Sequence, residues 1–114
     1  MPHFVIECSN TLLKQNSADE IMKVVHDTAE ATGLFTEGDI KVRIHPFEHY
    51  NVANTKSDFI HVFGNIMEGR TIEQRADLSK RIITKLKSIF PDVTVISMNV
   101  QEFEKATYNN RNTG

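Results

Sequence analysis

Asp58-Phe59-Ile60-His61-Val62-Phe63-Gly64-Asn65-Ile66-Met67, followed by the turn Glu68-Gly69-Arg70 and by Thr71-Ile72-Glu73-Gln74, is the stretch that decides the fold. Its first ten residues read as a strand that is apolar on both faces for most of its length, so it needs cover on two sides. Thr71 to Gln74 has the capping-box form, in which the hydroxyl and the side chain three residues on satisfy orphan amides at a helix start. A helix therefore begins there. Leu78, Ile82, Ile83, Leu86 and Ile89 repeat at its buried spacing, Lys85 and Lys87 sit near the C-terminal end of its dipole, and Pro91 stops it. A last strand spans Asp92 to Val100, with Val93 and Val95 on one face and Ile96, Met98 and Val100 on the other.

The same order occurs earlier in the chain. Phe4, Ile6 and Cys8 lie on one face of an opening strand, and His3, Val5 and Glu7 on the other. After a polar loop, Ser17-Ala18-Asp19-Glu20 repeats the capping box; Ile21, Val24, Val25, Thr28, Ala29 and Thr32 form a stripe, and Gly33 is placed to end the helix. Asp39 to His45 then alternates cleanly, Ile40, Val42 and Ile44 against Lys41, Arg43 and His45. Pro46 is expected to end the pairing there, and Phe47 to Ser57 to be a connection rich in Asn.

Two strand-helix-strand units, residues of about 2–47 and 58–103, thus make one domain over 1–114, with an irregular tail at 104–114. The fold class expected is α+β: a duplicated β-α-β unit forming a four-stranded mixed sheet with both helices on one face. The other face is then bare. A sheet whose strands are apolar on that side too is expected to be buried against copies of itself.

Composition bounds the function. The net charge of −2 is spread along the chain and argues against a nucleic-acid partner held by phosphate neutralisation. No apolar run approaches a membrane span and Glu7 comes too early for a secretory signal, so the expected setting is cytoplasmic. The single Cys8 reads as a small buried hydrophobe. His45, His49 and His61 invite a metal reading, but no helix carries two histidines a turn apart and no cysteine stands at ligand spacing, so no metal or other cofactor is expected.

Pro2 is the residue with chemistry to offer. Methionine aminopeptidases remove Met1 when the second side chain is small, and the Pro2 nitrogen then becomes a secondary amine held at the start of a strand. An α-amine has a pKa of about 8; an apolar site or nearby cations lower it toward neutrality and leave a neutral base. Arg43 and Arg70 are the candidates for holding carboxylates and a developing oxyanion, with Lys41 a third cation on the Arg43 face.

Pro2 opening a strand, the duplicated unit, the basic second strand and a Gly-Arg before the second helix together resemble the tautomerase superfamily. Within it, the Pro2 to Ser9 opening, Ala31-Thr32-Gly33-Leu34-Phe35, Val42-Arg43-Ile44-His45 and Gly69 to Arg75 look like the 5-carboxymethyl-2-hydroxymuconate delta-isomerases. The resemblance implies a homotrimer with sites between subunits, the terminal proline as general base, and cofactor-free ketonisation of an unsaturated 2-hydroxy or 2-keto carboxylate in aromatic catabolism. Where the family pattern has an arginine at the head of the cationic face, this chain has Lys41, which keeps the charge but loses the planar fork. The alternatives are a cytokine-like trimeric binding protein, since macrophage migration inhibitory factor has a similar layout, and a paralogue acting on another keto or halogenated acid.

Overall fold

The computed structural model describes residues 1–114. Strand β1 (His3–Ser9), a 3-10 turn (Asn10–Lys14), helix α1 (Ala18–Ala31), β2 (Lys41–Phe47), β3 (Phe59–Met67), α2 (Ile72–Ile89) and β4 (Val95–Phe103) follow one another. The sheet order is β2-β1-β3-β4. β1 pairs parallel with β2 and β3 parallel with β4, while β1 and β3 run antiparallel. Two β-α-β units therefore meet through their first strands. None of the helices is long and apolar enough to cross a membrane.

Both capping boxes form. The Glu20 N–H donates to the Ser17 hydroxyl at 3.1 Å and the Ser17 N–H to the Glu20 carboxylate at 3.2 Å. At α2 the Gln74 N–H donates to the Thr71 hydroxyl at 3.1 Å, and the Thr71 N–H to the Gln74 side-chain oxygen at 2.9 Å. Gly33 follows α1 at φ +73°, the left-handed conformation its position demands.

The apolar periods of strand and helix meet in one layer. Phe4, Ile6 and Cys8 of β1 and Ile60, Val62 and Ile66 of β3 are buried with Ile21, Val25 and Ala29 of α1 and Leu78, Ile82 and Leu86 of α2. Gly64 interrupts β3 because a Cβ there would meet Met98 Cε at 2.8 Å and Phe4 Cε1 at 3.3 Å. The second face has no helix. On it Val5, Phe59, Phe63, Met67 and Phe103 are only half-buried. The polar members of that face also bond across it: the His61 ring lies 2.7 Å from both the Ser97 hydroxyl and Asn99 Oδ1.

Several boundaries differ from the sequence reading. Pro46 does not end β2; pairing continues through Cys8↔Pro46 and Ser9↔Phe47. β2 is an edge strand, where a residue without an N–H leaves no inner partner unserved. β4 starts at Val95 because the chain first turns, the Val93 N–H donating to the Phe90 carbonyl at 3.1 Å, and it runs on to Phe103. The polar loop after β1 contains the 3-10 turn, which inserts the fully buried Leu12 into the core. The tail at 104–114 has no helix or strand, but it is not without burial. Tyr108 packs on Phe103 with ring centroids 4.7 Å apart, and the Asn110 amide reaches Met1 Sδ at 3.7 Å.

Leu12 tests the buried turn. Leu12→Ala should cost about 2–5 kcal/mol of unfolding free energy and the partly exposed Leu13→Ala distinctly less, measured by urea denaturation at one fixed protein concentration.

Candidate functional site

The topology brings four chain segments to one end of the sheet. β1 and β2 begin there because they are parallel, and β3 ends there because it is antiparallel to β1, with His3 opposite both Lys41 and Asn65. The α1 crossover returns to the same end through Leu34 and Phe35, where Phe35 packs edge-on against Phe4 at 6.0 Å. Pro2 lies at the centre of this end. It is buried, and the Lys41 N–H donates to its carbonyl at 3.1 Å.

The cations around it are not equivalent. The Met1 ammonium lies 3.3 Å from the Asp39 carboxylate, and Lys41 Nζ stands 3.8 Å from the same carboxylate while donating to the Asp39 carbonyl. The charge of Lys41 is thus partly answered within the chain. Arg43 has no carboxylate partner; its Nη1 donates to His3 Nδ1 at 3.2 Å. Arg70, half-buried at the end of the β3 turn, donates through Nη2 to the Leu34 carbonyl and likewise meets no carboxylate. By contrast Arg75 pairs with Glu102 at 3.6 Å and Arg81 with Asp77 at 2.9 Å. Pro2, Lys41 and Arg43 come together along the β1–β2 edge. Arg70 shares the end of the sheet with them but touches none of the three.

Sequence reasoning passed over three residues here. Asp39 holds the terminus and Lys41, although it was legible only as the first residue of an alternating strand. His3 reads from its spacing as an ordinary polar-face residue, yet its ring joins Arg43 to the Tyr108 hydroxyl, which lies 3.1 Å from Nε2. The signal for Tyr108 was a lone aromatic in a tail otherwise rich in Asn. Burial, and then the charges of Arg43, Lys41 and the N-terminal ammonium, make His3 harder to protonate than an ordinary imidazole, with Asp39 opposing them. Cys8 offers no nucleophile, because burial and then the Asp58 charge push its thiol up to about 11.

No enclosed cavity adjoins Pro2 in the single chain. The larger groove, about 570 Å³, lies between α1 and α2 and is lined by residues such as Asp27, Thr28, Lys80 and Arg81. Those are helix residues, and the candidate site does not use them. What the sheet end offers instead is an open shelf, with cations on one side and the half-buried rings of Phe103 and Tyr108 on another.

Residues 2–113 match the family model described as 5-carboxymethyl-2-hydroxymuconate isomerase. A curated relative, the 5-carboxymethyl-2-hydroxymuconate Delta-isomerase of Escherichia coli, is 28% identical over 92 residues, which cover 79% of this chain and 73% of the relative. The fold resembles the crystal structure of a 5-carboxymethyl-2-hydroxymuconate isomerase from Deinococcus radiodurans R1, with a TM-score of 0.85 at 20% identity over 96% of this chain and 88% of that one. It also resembles a fused wild-type 4-OT symmetric trimer, with a TM-score of 0.81 at 13% identity, covering 97% and 94% of the two chains.

The lowered proton affinity of His3 has a consequence for stability. The unfolded chain protonates this residue near 6.5 and the folded chain only at lower pH, so between those points the unfolded state binds more protons and stability rises with pH. Thermal melts from pH 8 to pH 5 should lose stability as the pH falls through about 6.5. His3→Gln should make that decline shallower.

Proposed function

The chain belongs to the 5-carboxymethyl-2-hydroxymuconate isomerase family, isomerases of the tautomerase superfamily, and from that premise we propose that it shifts a carbon–carbon double bond in an unsaturated 2-hydroxy or 2-keto carboxylate without a cofactor, using the Pro2 amine as general base. The observation that carries the reading is a buried Pro2 at the same end of the sheet as Arg43 and Arg70, two guanidinium groups that no carboxylate of the chain answers. Unanswered cations at one end of a sheet suit a substrate that brings its own carboxylates.

While Met1 is attached, the Pro2 nitrogen is an amide without a basic lone pair. Removal of Met1 frees it. The neutral amine then takes the proton of the substrate's 2-hydroxyl, the electron pair moves through the diene, and a distal carbon takes the proton back from the prolinium. One O–H bond breaks and one C–H bond forms, so nothing but the substrate is consumed. Arg43 and Arg70 hold the carboxylates and the oxygen on which charge develops, and Lys41 adds a weaker attraction because Asp39 shares it. The chemistry is that of aromatic-compound catabolism, in a cytoplasmic setting.

The active form we propose is a homotrimer. The helix-free face of the sheet, with its half-buried Val5, Phe59, Phe63 and Phe103, provides the surface, and the open shelf at Pro2 gains a wall when a second copy is seated beside it. The trimeric state of the 4-OT relative supports this.

Three measurements test the reading. Protein verified by mass to retain Met1 should fold and assemble yet lose nearly all turnover of a 2-hydroxymuconate, whereas Pro2→Ala, which keeps a terminal amine, should be impaired less; full activity with Met1 in place would remove Pro2 as the base. Arg43→Ala and Arg70→Ala should each cost about 2–5 kcal/mol in kcat/KM, and unchanged values in both would take them out of the site. Sedimentation at micromolar concentration should give about three chains; a folded monomer there refutes the assembly.

A further inference from the structure

We propose that His3 is a positioning residue, which through Nδ1 aims the Arg43 guanidinium and through Nε2–H docks Tyr108 of the C-terminal tail, so that one ring sets both the cationic face and the anchoring of the tail. The inference rests on the reading of Arg43 as a carboxylate ligand.

The hydrogen-bond directions follow from what each partner can do. A guanidinium only donates, so the contact of 3.2 Å between Arg43 Nη1 and His3 Nδ1 requires a bare, accepting Nδ1. A neutral imidazole carries its single proton on the other nitrogen. Nε2–H therefore donates to the Tyr108 hydroxyl at 3.1 Å, and the tautomer is fixed from both sides. A doubly protonated ring could not accept from Arg43, and the neighbouring cations oppose that form as well.

Arg43 has no other polar contact to hold it. It is an exposed side chain on an edge strand, with no ion pair and no other hydrogen bond. Left to itself such a side chain populates many rotamers, and a substrate that binds it must immobilise them at its own expense. The His3 ring that restrains it is itself held. Phe103 meets it edge-on with centroids 5.8 Å apart, and Tyr108 lies tilted at 6.3 Å, the two rings packing on each other at 4.7 Å. The tail is thereby tied to the start of β1 through residues more than a hundred positions apart in the chain.

Two substitutions divide the functions of the ring. Asparagine places its Oδ1 near the position of Nδ1, so His3→Asn keeps the acceptor for Arg43 and loses the reach to Tyr108. Glutamine extends its amide to the position of Nε2, so His3→Gln keeps the donor for Tyr108 and loses the acceptor for Arg43. With a 2-hydroxymuconate as substrate and Met1-free protein, His3→Gln should raise KM by about tenfold with kcat changed by less than about threefold, while His3→Asn should leave KM within about threefold. Amide hydrogen exchange should show the reverse. Residues 104–114 should exchange about tenfold faster in His3→Asn and in Tyr108→Phe, and at the parent rate in His3→Gln. Nitrogen-15 spectra of the unliganded protein at neutral pH should show His3 neutral with its proton on Nε2. A proton on Nδ1, a cationic ring, or two variants that behave alike in KM and in tail exchange would overturn the proposal. If no variant and no parent protein turned over substrate, the proposed isomerase function would fail, while the tautomer and the tail exchange would still decide the role of His3.

Discussion

The antiparallel pairing of β1 with β3 is the constraint on which the rest of the structure depends. It joins the two β-α-β units through their first strands and places the start of one beside the end of the other, in a register that sets His3 against Asn65 and Cys8 against Ile60. With the crossovers folded to one side, the alternate residues Phe4, Ile6, Ile60 and Val62 all point into a single helix-covered layer. A slip of one residue would turn that set outward and put His3, Glu7 and His61 into the core, where their polar groups would be costly to bury. Register and core enforce one another.

The same register creates the site. Because β2 is parallel to β1 and β3 antiparallel, the first residues of two strands and the last of a third gather at one end, together with the turn that carries Arg70. Arg43 and Arg70 find only a ring nitrogen and a carbonyl, although carboxylates elsewhere on the chain pair readily with Arg75, Arg81 and Lys23. An arrangement that leaves guanidinium groups at the same sheet end as the buried Pro2 forgoes stabilising ion pairs.

The sheet's uncovered face has a related logic. Two helices are enough to cover one side of four strands, and the duplicated unit supplies no more. The half-buried aromatic residues on the second side are interleaved with Glu7, His45 and His61, so the surface is neither a sealed core nor an ordinary solvated face. Mixed composition of that kind suits contact between folded subunits, where shape and a few polar pairs determine the geometry.

Much of this was legible in the chain itself. Alternation in Asp39–His45, the two-sided apolar run of Asp58–Met67, the two capping boxes and the stops at Gly33 and Pro91 determined the element order, the duplication and the helix-covered side, because those signals are local and act through backbone hydrogen bonds and side-chain period. Pro2, Lys41, Arg43 and Arg70 were candidates on residue type and position alone. The tertiary structure alone decided that Pro46 stays in its strand, since a proline is tolerated or excluded according to whether the strand is an edge, which no neighbouring residue encodes. It decided likewise that Leu12 is core, that Asp39 shares Lys41 with the terminus, and that Tyr108 returns to His3. Each of these is a contact between residues that only the closed sheet brings together, and burial and proton affinity depend on that closure rather than on the residues alone.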